Sequence, residues 1–187
     1  MQSIQITTDH GRDGQAPPAA AEWRRDGRGM RMPDRDMEPG MTGAVLTVVR
    51  PEWVDHYGHM NMGFYLVVFD MATDQLWPSL GLGPALHAQG FGTFAAETWV
   101  NYVREVREGM PLTATNEVIA YDGKRLICVH RLYHATEGWL AAENEVLYLC
   151  MDLSIRKVGL WPQATLDRFA AVCTGTPPLR LALKRKA

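Results

Sequence analysis

Residues 51–77, PEWVDHYGHMNMGFYLVVFDMATDQLW, hold most of the groups in this sequence that could act on a carbonyl. Hydrolysis of an activated acyl group needs something to activate water or attack the carbonyl carbon. It also needs donors aimed at the oxygen that becomes negative. A carboxylate just before a helix start supplies both, because the first helical amides have no intrahelical acceptor and sit at the positive end of the dipole. Asp55 lies six residues before Asn61, and Gly58 between them lets the chain turn back toward the helix. Asn61 is a good N-cap for a helix beginning at Met62. This reading makes Asp55 the reacting carboxylate and gives the backbone amides around Met62 and Gly63 to the carbonyl oxygen.

The neighbouring residues admit two readings each. Asp55 could instead cap its own loop or pair with an arginine. His59 is either a general base or a side chain that shapes the loop, and Asn61 is a cap or a substrate contact. His56 and His59 are three apart beside Asp55, but a loop offers no helical face to align them and no further ligand follows, so no metal is expected. Glu97, in FAAETWVNYV, is a second catalytic candidate because its strand otherwise alternates small and apolar residues. Alternatively it points outward, leaving Thr98 or Trp99 to face the core. Glu143 and Glu145 read as a solvated strand face.

These residues must be positioned by a simple set of elements. A β-branched run at residues 44–49 reads as a strand, and the loop 50–61 is broken by Pro51 and Gly58. A helix over 62–77 follows, about 24 Å long, with Pro78, Gly81 and Gly83 as its stop. Its first two turns are apolar on every side, which predicts enclosure. Strands are expected at 92–106, 111–121, 124–134 and 139–153, with Asp122-Gly123 as a two-residue hairpin turn. One strand, one buried helix and four antiparallel strands is the order of the α+β hotdog fold: a five-stranded curled antiparallel sheet wrapped around one long central helix. That domain spans 44–170. Residues 1–43 lack either period and read as a disordered leader, or as residues before a later start between Met30 and Met41. Residues 171–187 read as a C-terminal tail.

Composition narrows the function further. With 47% hydrophobic and 21% charged residues in 187, the chain suits one globular domain. Its net charge of -2 gives no bulk attraction to nucleic acid or membrane. There is no apolar run of about 20 residues and no signal-peptide pattern, so a cytoplasmic location is expected. Cys128, Cys150 and Cys173 are odd in number and lack CxxC spacing, and read as buried thiols. No P-loop or GxGxxG motif is present.

The segment 51–77 resembles the acyl-CoA thioesterases of the hotdog superfamily, in the 4-hydroxybenzoyl-CoA thioesterase-like branch. Asp55, Gly58, His59, Asn61 and Tyr65 fall at that branch's signature positions. The wording WVD, GHMN, FYL and ATD, at residues 53–55, 58–61, 64–66 and 72–74, is closer to the carnitine-linked, betainyl-CoA thioesterase-like group. The likeness extends loosely over most of residues 44–170. It implies Asp55 as nucleophile or general base, the Met62 amide as carbonyl donor, and a site with no cofactor, since CoA belongs to the substrate. It also implies a homodimer, or a tetramer of such dimers, closed by edge-to-edge pairing of sheets.

A CoA substrate calls for cations at the site mouth. The candidates are Arg104, Arg107, Lys124 and Arg125, with Arg156 and Lys157 ranked first. A quaternary ammonium acyl group calls for aromatic faces and a carboxylate, for which Trp53, Tyr57, Tyr65, Trp77, Trp99 and Tyr102 are available. The group more often has Tyr-Asn where this chain has His56-Tyr57, and Asp-Ala where it has Met62-Gly63. Those departures flank the reacting carbonyl and bear on the acyl group. A hotdog hydratase or dehydratase and a non-catalytic acyl-CoA binding module are the competing readings.

Overall fold

The computed structural model describes residues 22–23, 30–31 and 43–183. Nearly all of the expected leader lies outside these residues; its described parts, β1 (Glu22–Trp23) and β2 (Met30–Arg31), pair antiparallel. The main unit runs through β3 (Thr47–Val48), α1 (Met62–Leu80), α2 (Pro84–His87), β4 (Phe91–Tyr102), β5 (Pro111–Tyr121) and β6 (Arg125–His134). It continues with β7 (Leu140–Asp152), β8 (Lys157–Val158) and α3 (Gln163–Val172). The sheet order is β3-β5-β6-β7-β4, antiparallel throughout, with β8 added beside β7. This is the expected α+β hotdog arrangement with a sixth, two-residue strand.

The concave face of the sheet holds α1. Tyr65, Val68, Phe69, Ala72, Thr73 and Leu80 are buried against it. The helix outruns its expected stop, with Pro78 inside its last turn, where it removes one i→i−4 hydrogen bond. Gly81, at φ 68°, ends it instead, with the Gly81 and Leu82 amides donating back to the carbonyls of Pro78 and Trp77. Enclosure is one-sided, contrary to expectation. Met62, Leu66 and Val67 stay exposed, and Leu66 adjoins Ala95 and Thr98 of β4, the terminal strand of the sheet order.

Asp122-Gly123 does form the β5–β6 turn, but Gly123 is not at positive φ. One Asp122 carboxylate oxygen accepts from the amides of Lys124 and Arg125, both at 2.8 Å, so the side chain sets the turn.

The convex face departs most from the sequence reading. Glu143 and Glu145, expected in solvent, are buried. Arg131 bridges Glu143 and Glu117, and Glu145 accepts from the backbone amides of Arg180 at 2.7 Å and Leu181 at 3.1 Å. Thr174 and Thr176 donate to Glu117, while Leu181 and Leu183 pack on Ile119, Ile127, Val129 and Leu147. The described part of the expected tail is therefore laid across the outer sheet face. Cys128 and Cys150 are buried; Cys173 is only partly so.

Candidate active site

The loop before α1 is built by backbone closure. Trp53 ends a 3-10 turn, is buried, and stacks on Phe64 with centroids 5.6 Å apart and planes 17° from parallel. Its carbonyl accepts from the Asn61 amide at 2.9 Å. Val54 and Met60 form an antiparallel bridge, and the Asp55 amide donates to the His59 carbonyl at 3.0 Å. Gly58, at φ 79°, turns the chain between them, a conformation that a side chain would strain. The Met60 amide reaches the Val106 carbonyl at 2.8 Å and anchors the loop to the β4–β5 connection. Asp55 thereby sits opposite His59 in a short hairpin whose second arm runs into α1.

Asp55 is half-buried. One carboxylate oxygen accepts from the Tyr57 amide at 2.8 Å. Among the described residues the other oxygen has no hydrogen-bond partner and the carboxylate no ion pair. The loop-capping reading therefore accounts for one oxygen, and the arginine-pair reading for none.

The helix start leaves one free amide. Asn61 Oδ1 accepts from the Gly63 amide at 3.0 Å, and the Asn61 carbonyl accepts from Phe64 at 2.9 Å. Gly63, expected to share the carbonyl oxygen, is thus taken by the cap. The Met62 amide has no acceptor among the described residues. The Tyr102 hydroxyl donates to the Met62 carbonyl at 3.3 Å and holds this turn from the end of β4.

The other candidates divide. His59 Nε2 lies 3.0 Å from Glu105 and 3.3 Å from Arg107, and Arg107 pairs with Glu105 at 3.0 Å. That triplet ties the loop to the β4–β5 connection. Tyr57, 73% exposed, sits at the loop tip with its ring 4.0 Å from that of His56. Trp53 and Tyr65, expected as substrate contacts, are core residues. Burial pushes the Tyr65 hydroxyl up to about 12, and its ring lies edge-on to Tyr102 at 5.0 Å. Among the described residues no group of three or more His, Cys, Asp and Glu could hold a metal ion.

Glu97 and Trp99 are not brought to Asp55. A bulge between Ala95 and Glu97 shifts the alternation, so Ala95 and Thr98 face α1. Glu97 and Trp99 then sit opposite Leu147 and Glu145 on the convex face. Arg156 and Lys157 are remote too. They follow β7 at Asp152, whereas the Met62 end of the site adjoins Tyr102, which pairs with Ala142. Ten residues of strand separate those ends, about 33 Å. Lys124 and Arg125 lie near that same remote end, the Cys150 amide donating to the Lys124 carbonyl at 2.9 Å. The cations beside the loop include Arg107, Arg104, stacked 4.1 Å above Trp139, and Arg50, 5.0 Å above Trp53.

A cleft of about 240 Å³ runs from Leu66 along α1 and the inner faces of β4 and β7 to Thr73, Asn144 and Tyr148. Its inner end is polar. The Asn116 amide nitrogen donates to the Ala72 carbonyl, so its Oδ1 must accept from His130 Nδ1 at 2.7 Å. His130 Nε2 then faces the Tyr148 hydroxyl at 3.4 Å and Thr73 at 3.5 Å. Burial lowers the His130 pKa to about 4 and keeps the ring neutral, while burial raises that of Tyr148. Sequence reasoning overlooked this cluster, whose signal was polar residues at inward positions of strands that are otherwise apolar there.

A family model described as "Thioesterase-like superfamily" matches residues 49–169. The betainyl-CoA thioesterase of Pseudomonas aeruginosa is 38% identical over 108 residues, 57% of this chain and 68% of that protein. The L-carnitine dehydrogenase/betainyl-CoA thioesterase of Agrobacterium fabrum is 34% identical over 117 residues, 61% of this chain but 23% of that longer protein. A Staphylococcus aureus protein solved in complex with CoA superimposes with a TM-score of 0.64, at 23% identity, over 80% of this chain and 99% of its own. A crystal structure of a thioesterase-like protein from Pseudomonas putida gives 0.60, at 27% identity, over 79% and 100%.

Proposed function

The chain belongs to the thioesterase-like superfamily, and from that footing we propose that it hydrolyses an acyl-CoA whose acyl group is small and ends in a quaternary ammonium, as in betainyl-CoA. One observation carries this reading: the hairpin that pairs Trp53 with Asn61 and Asp55 with His59 leads directly into α1, and on it a carboxylate oxygen of Asp55 and the Met62 amide are both without partners among the described residues. The thioester carbonyl oxygen accepts from the Met62 amide, where the helix dipole favours the charge that develops on it. The free oxygen of Asp55 then takes a proton from attacking water, or itself bonds to the carbonyl carbon and, once CoA has left, holds the acyl group as a mixed anhydride that water hydrolyses to the free acid and the Asp55 carboxylate. Collapse of the tetrahedral species breaks the carbon–sulfur bond and releases CoA as its thiolate, which the proton removed from water neutralises. His59, held by Glu105 and Arg107, fixes the loop, and Arg107 and Arg104 are the cations within reach of the CoA phosphates.

The acyl group is inferred from the relatives' names, and the departures at His56-Tyr57 and Met62-Gly63 make it the part to test first. Assembly follows from the edge of the sheet. β4 is a twelve-residue terminal strand with exposed Phe94, and exposed Leu66 of α1 adjoins it. Pairing of two such edges makes a homodimer and covers that apolar strip. No helix among the described residues is long and apolar enough to cross a membrane, and a cytoplasmic location is part of this proposal.

The test is thiol release from betainyl-CoA, acetyl-CoA, a medium-chain acyl-CoA and benzoyl-CoA, with light scattering on the same sample. Preferred turnover of betainyl-CoA by a two-chain particle is expected. Binding of acyl-CoA without any thiol release would replace the enzyme with a binding module.

A further inference from the structure

The hairpin that carries Asp55 is tied to the β4–β5 connection at two adjacent points. The Met60 amide donates to the Val106 carbonyl at 2.8 Å, and one residue earlier on each side His59 Nε2 lies 3.0 Å from Glu105. Among the described residues, His59 has the only side chain of residues 54–60 that hydrogen-bonds beyond the hairpin. The tip, His56 to Gly58, is exposed.

The partners fix where the protons sit. An ionised carboxylate only accepts, so His59 Nε2 carries a hydrogen and donates it to Glu105. Arg107 donates to the other Glu105 oxygen at 3.0 Å. Its 3.3 Å approach to His59 Nε2 therefore sets two donors side by side on one carboxylate, with no bond between them.

Glu105 is a firm base for such a tether. Before it, the amides of Val103 and Arg104 both donate to the Ala141 carbonyl at 2.9 Å, and after it Val106 is fully buried. A single hydrogen bond at Met60 leaves the hairpin free to swing about that bond, whereas a second contact one residue away removes the swing. The swing would carry Asp55 with it, since the Asp55 amide donates to the His59 carbonyl at 3.0 Å across the hairpin. The side chains of Glu105 and Arg107 are 49% and 60% exposed, so their pairing adds little to stability and its effect lies in geometry.

We propose that Glu105 is a positioning residue for Asp55: through His59 it holds the hairpin at the angle that aims the carboxylate at the bound thioester. The inference rests on the thioesterase reading above, in which Asp55 reacts, and adds to it a residue that never meets the reacting atoms.

The experiment measures kcat and KM by thiol release, with the acyl-CoA that the wild type turns over fastest, and thermal denaturation of every variant. Glu105→Ala should lower kcat by about tenfold, less than the roughly 10²-fold that a 1 Å misplacement can cost. KM should stay within about twofold, and the melting temperature within about 3 °C. Glu105→Gln should recover most of the rate, because its side-chain oxygen still accepts from His59 Nε2. Added to His59→Ala, Glu105→Ala should cost nothing further, since both changes cut one tether. Added to Asp55→Asn, it should leave the residual rate unchanged, because the group it positions is gone. An unchanged kcat in Glu105→Ala, no recovery in Glu105→Gln, or the same loss on top of Asp55→Asn would overturn the proposal while leaving thioester hydrolysis in place. A raised KM at unchanged kcat would overturn it too, and would give Glu105 to CoA binding through Arg107. A fall in rate that tracks a large fall in melting temperature would make Glu105 a structural residue only. Absence of thiol release by the wild type from any acyl-CoA would overturn the thioesterase reading and this inference with it.

Discussion

Asn61 separates helix capping from catalysis, because its side chain holds the Gly63 amide at 3.0 Å one residue away from the amide assigned to the carbonyl. Asn61→Ala removes the cap, which costs about 1 kcal/mol and lowers the melting temperature by about 3 °C for a domain of this size. Asn61→Ser keeps a neutral cap and should resemble wild type in both stability and turnover. Asn61→Asp keeps the cap but adds a negative charge roughly 5 Å from the developing oxyanion. At an effective dielectric constant of about 20 that repulsion is about 3 kcal/mol at most. Asn61 is exposed, and screening reduces the figure to roughly half. The expected loss in kcat is thus on the order of tenfold. Thiol release and differential scanning calorimetry on the three variants are sufficient. An Asn61→Asp protein of wild-type stability and undiminished kcat would refute the placement of the oxyanion at the Met62 amide.

Two further predictions concern the scaffold. His130 is fully buried and held neutral by burial, with a pKa of about 4 against an ordinary 6.5. The unfolded chain therefore binds the extra proton first, and stability present above pH 6.5 should fall by about 3 kcal/mol as the pH drops to 4. Denaturant titrations across that window check this, and His130→Gln should flatten the dependence. On the convex face, Glu145→Ala leaves the Arg180 and Leu181 amides without their acceptor. A loss of about 2–4 kcal/mol is expected, with new proteolytic cleavage between residues 173 and 183, while Glu145→Gln should lose less because it keeps one acceptor.

The parts of this fold that were legible in the sequence are those set by local rules. Asn61 announces its helix because an amide oxygen at that position satisfies a free amide, and the strands alternate in step with the face they bury. Asp55 stood out because a carboxylate, a turning glycine and a cap were spaced to bring it to a helix start. What escaped depended on contacts distant in sequence. The bulge at Ala95/Glu97 carries no glycine or proline, yet the one-residue slip moves Glu97 and Trp99 to the far face. Glu143 and Glu145 looked solvated because nothing local shows that residues 173–183 cover them. Arg156 and Lys157 could be placed only once β7 had a direction and a length. Helix α3 sets Leu166 and Phe169, three apart, against the core cluster at that end of α1, a contact that a ten-residue amphipathic run does not locate by itself.

The central claim is that Asp55 reacts and the rest of the loop positions it. The most direct measurement is single-turnover thiol release from betainyl-CoA by Asp55→Asn beside wild type, with binding of the same substrate followed by calorimetry. Asparagine can still accept from the Tyr57 amide, so the loop and the substrate affinity should survive while the rate falls by about 10²–10⁴. A variant that binds the substrate and hydrolyses it within a few-fold of the wild-type rate would contradict the account.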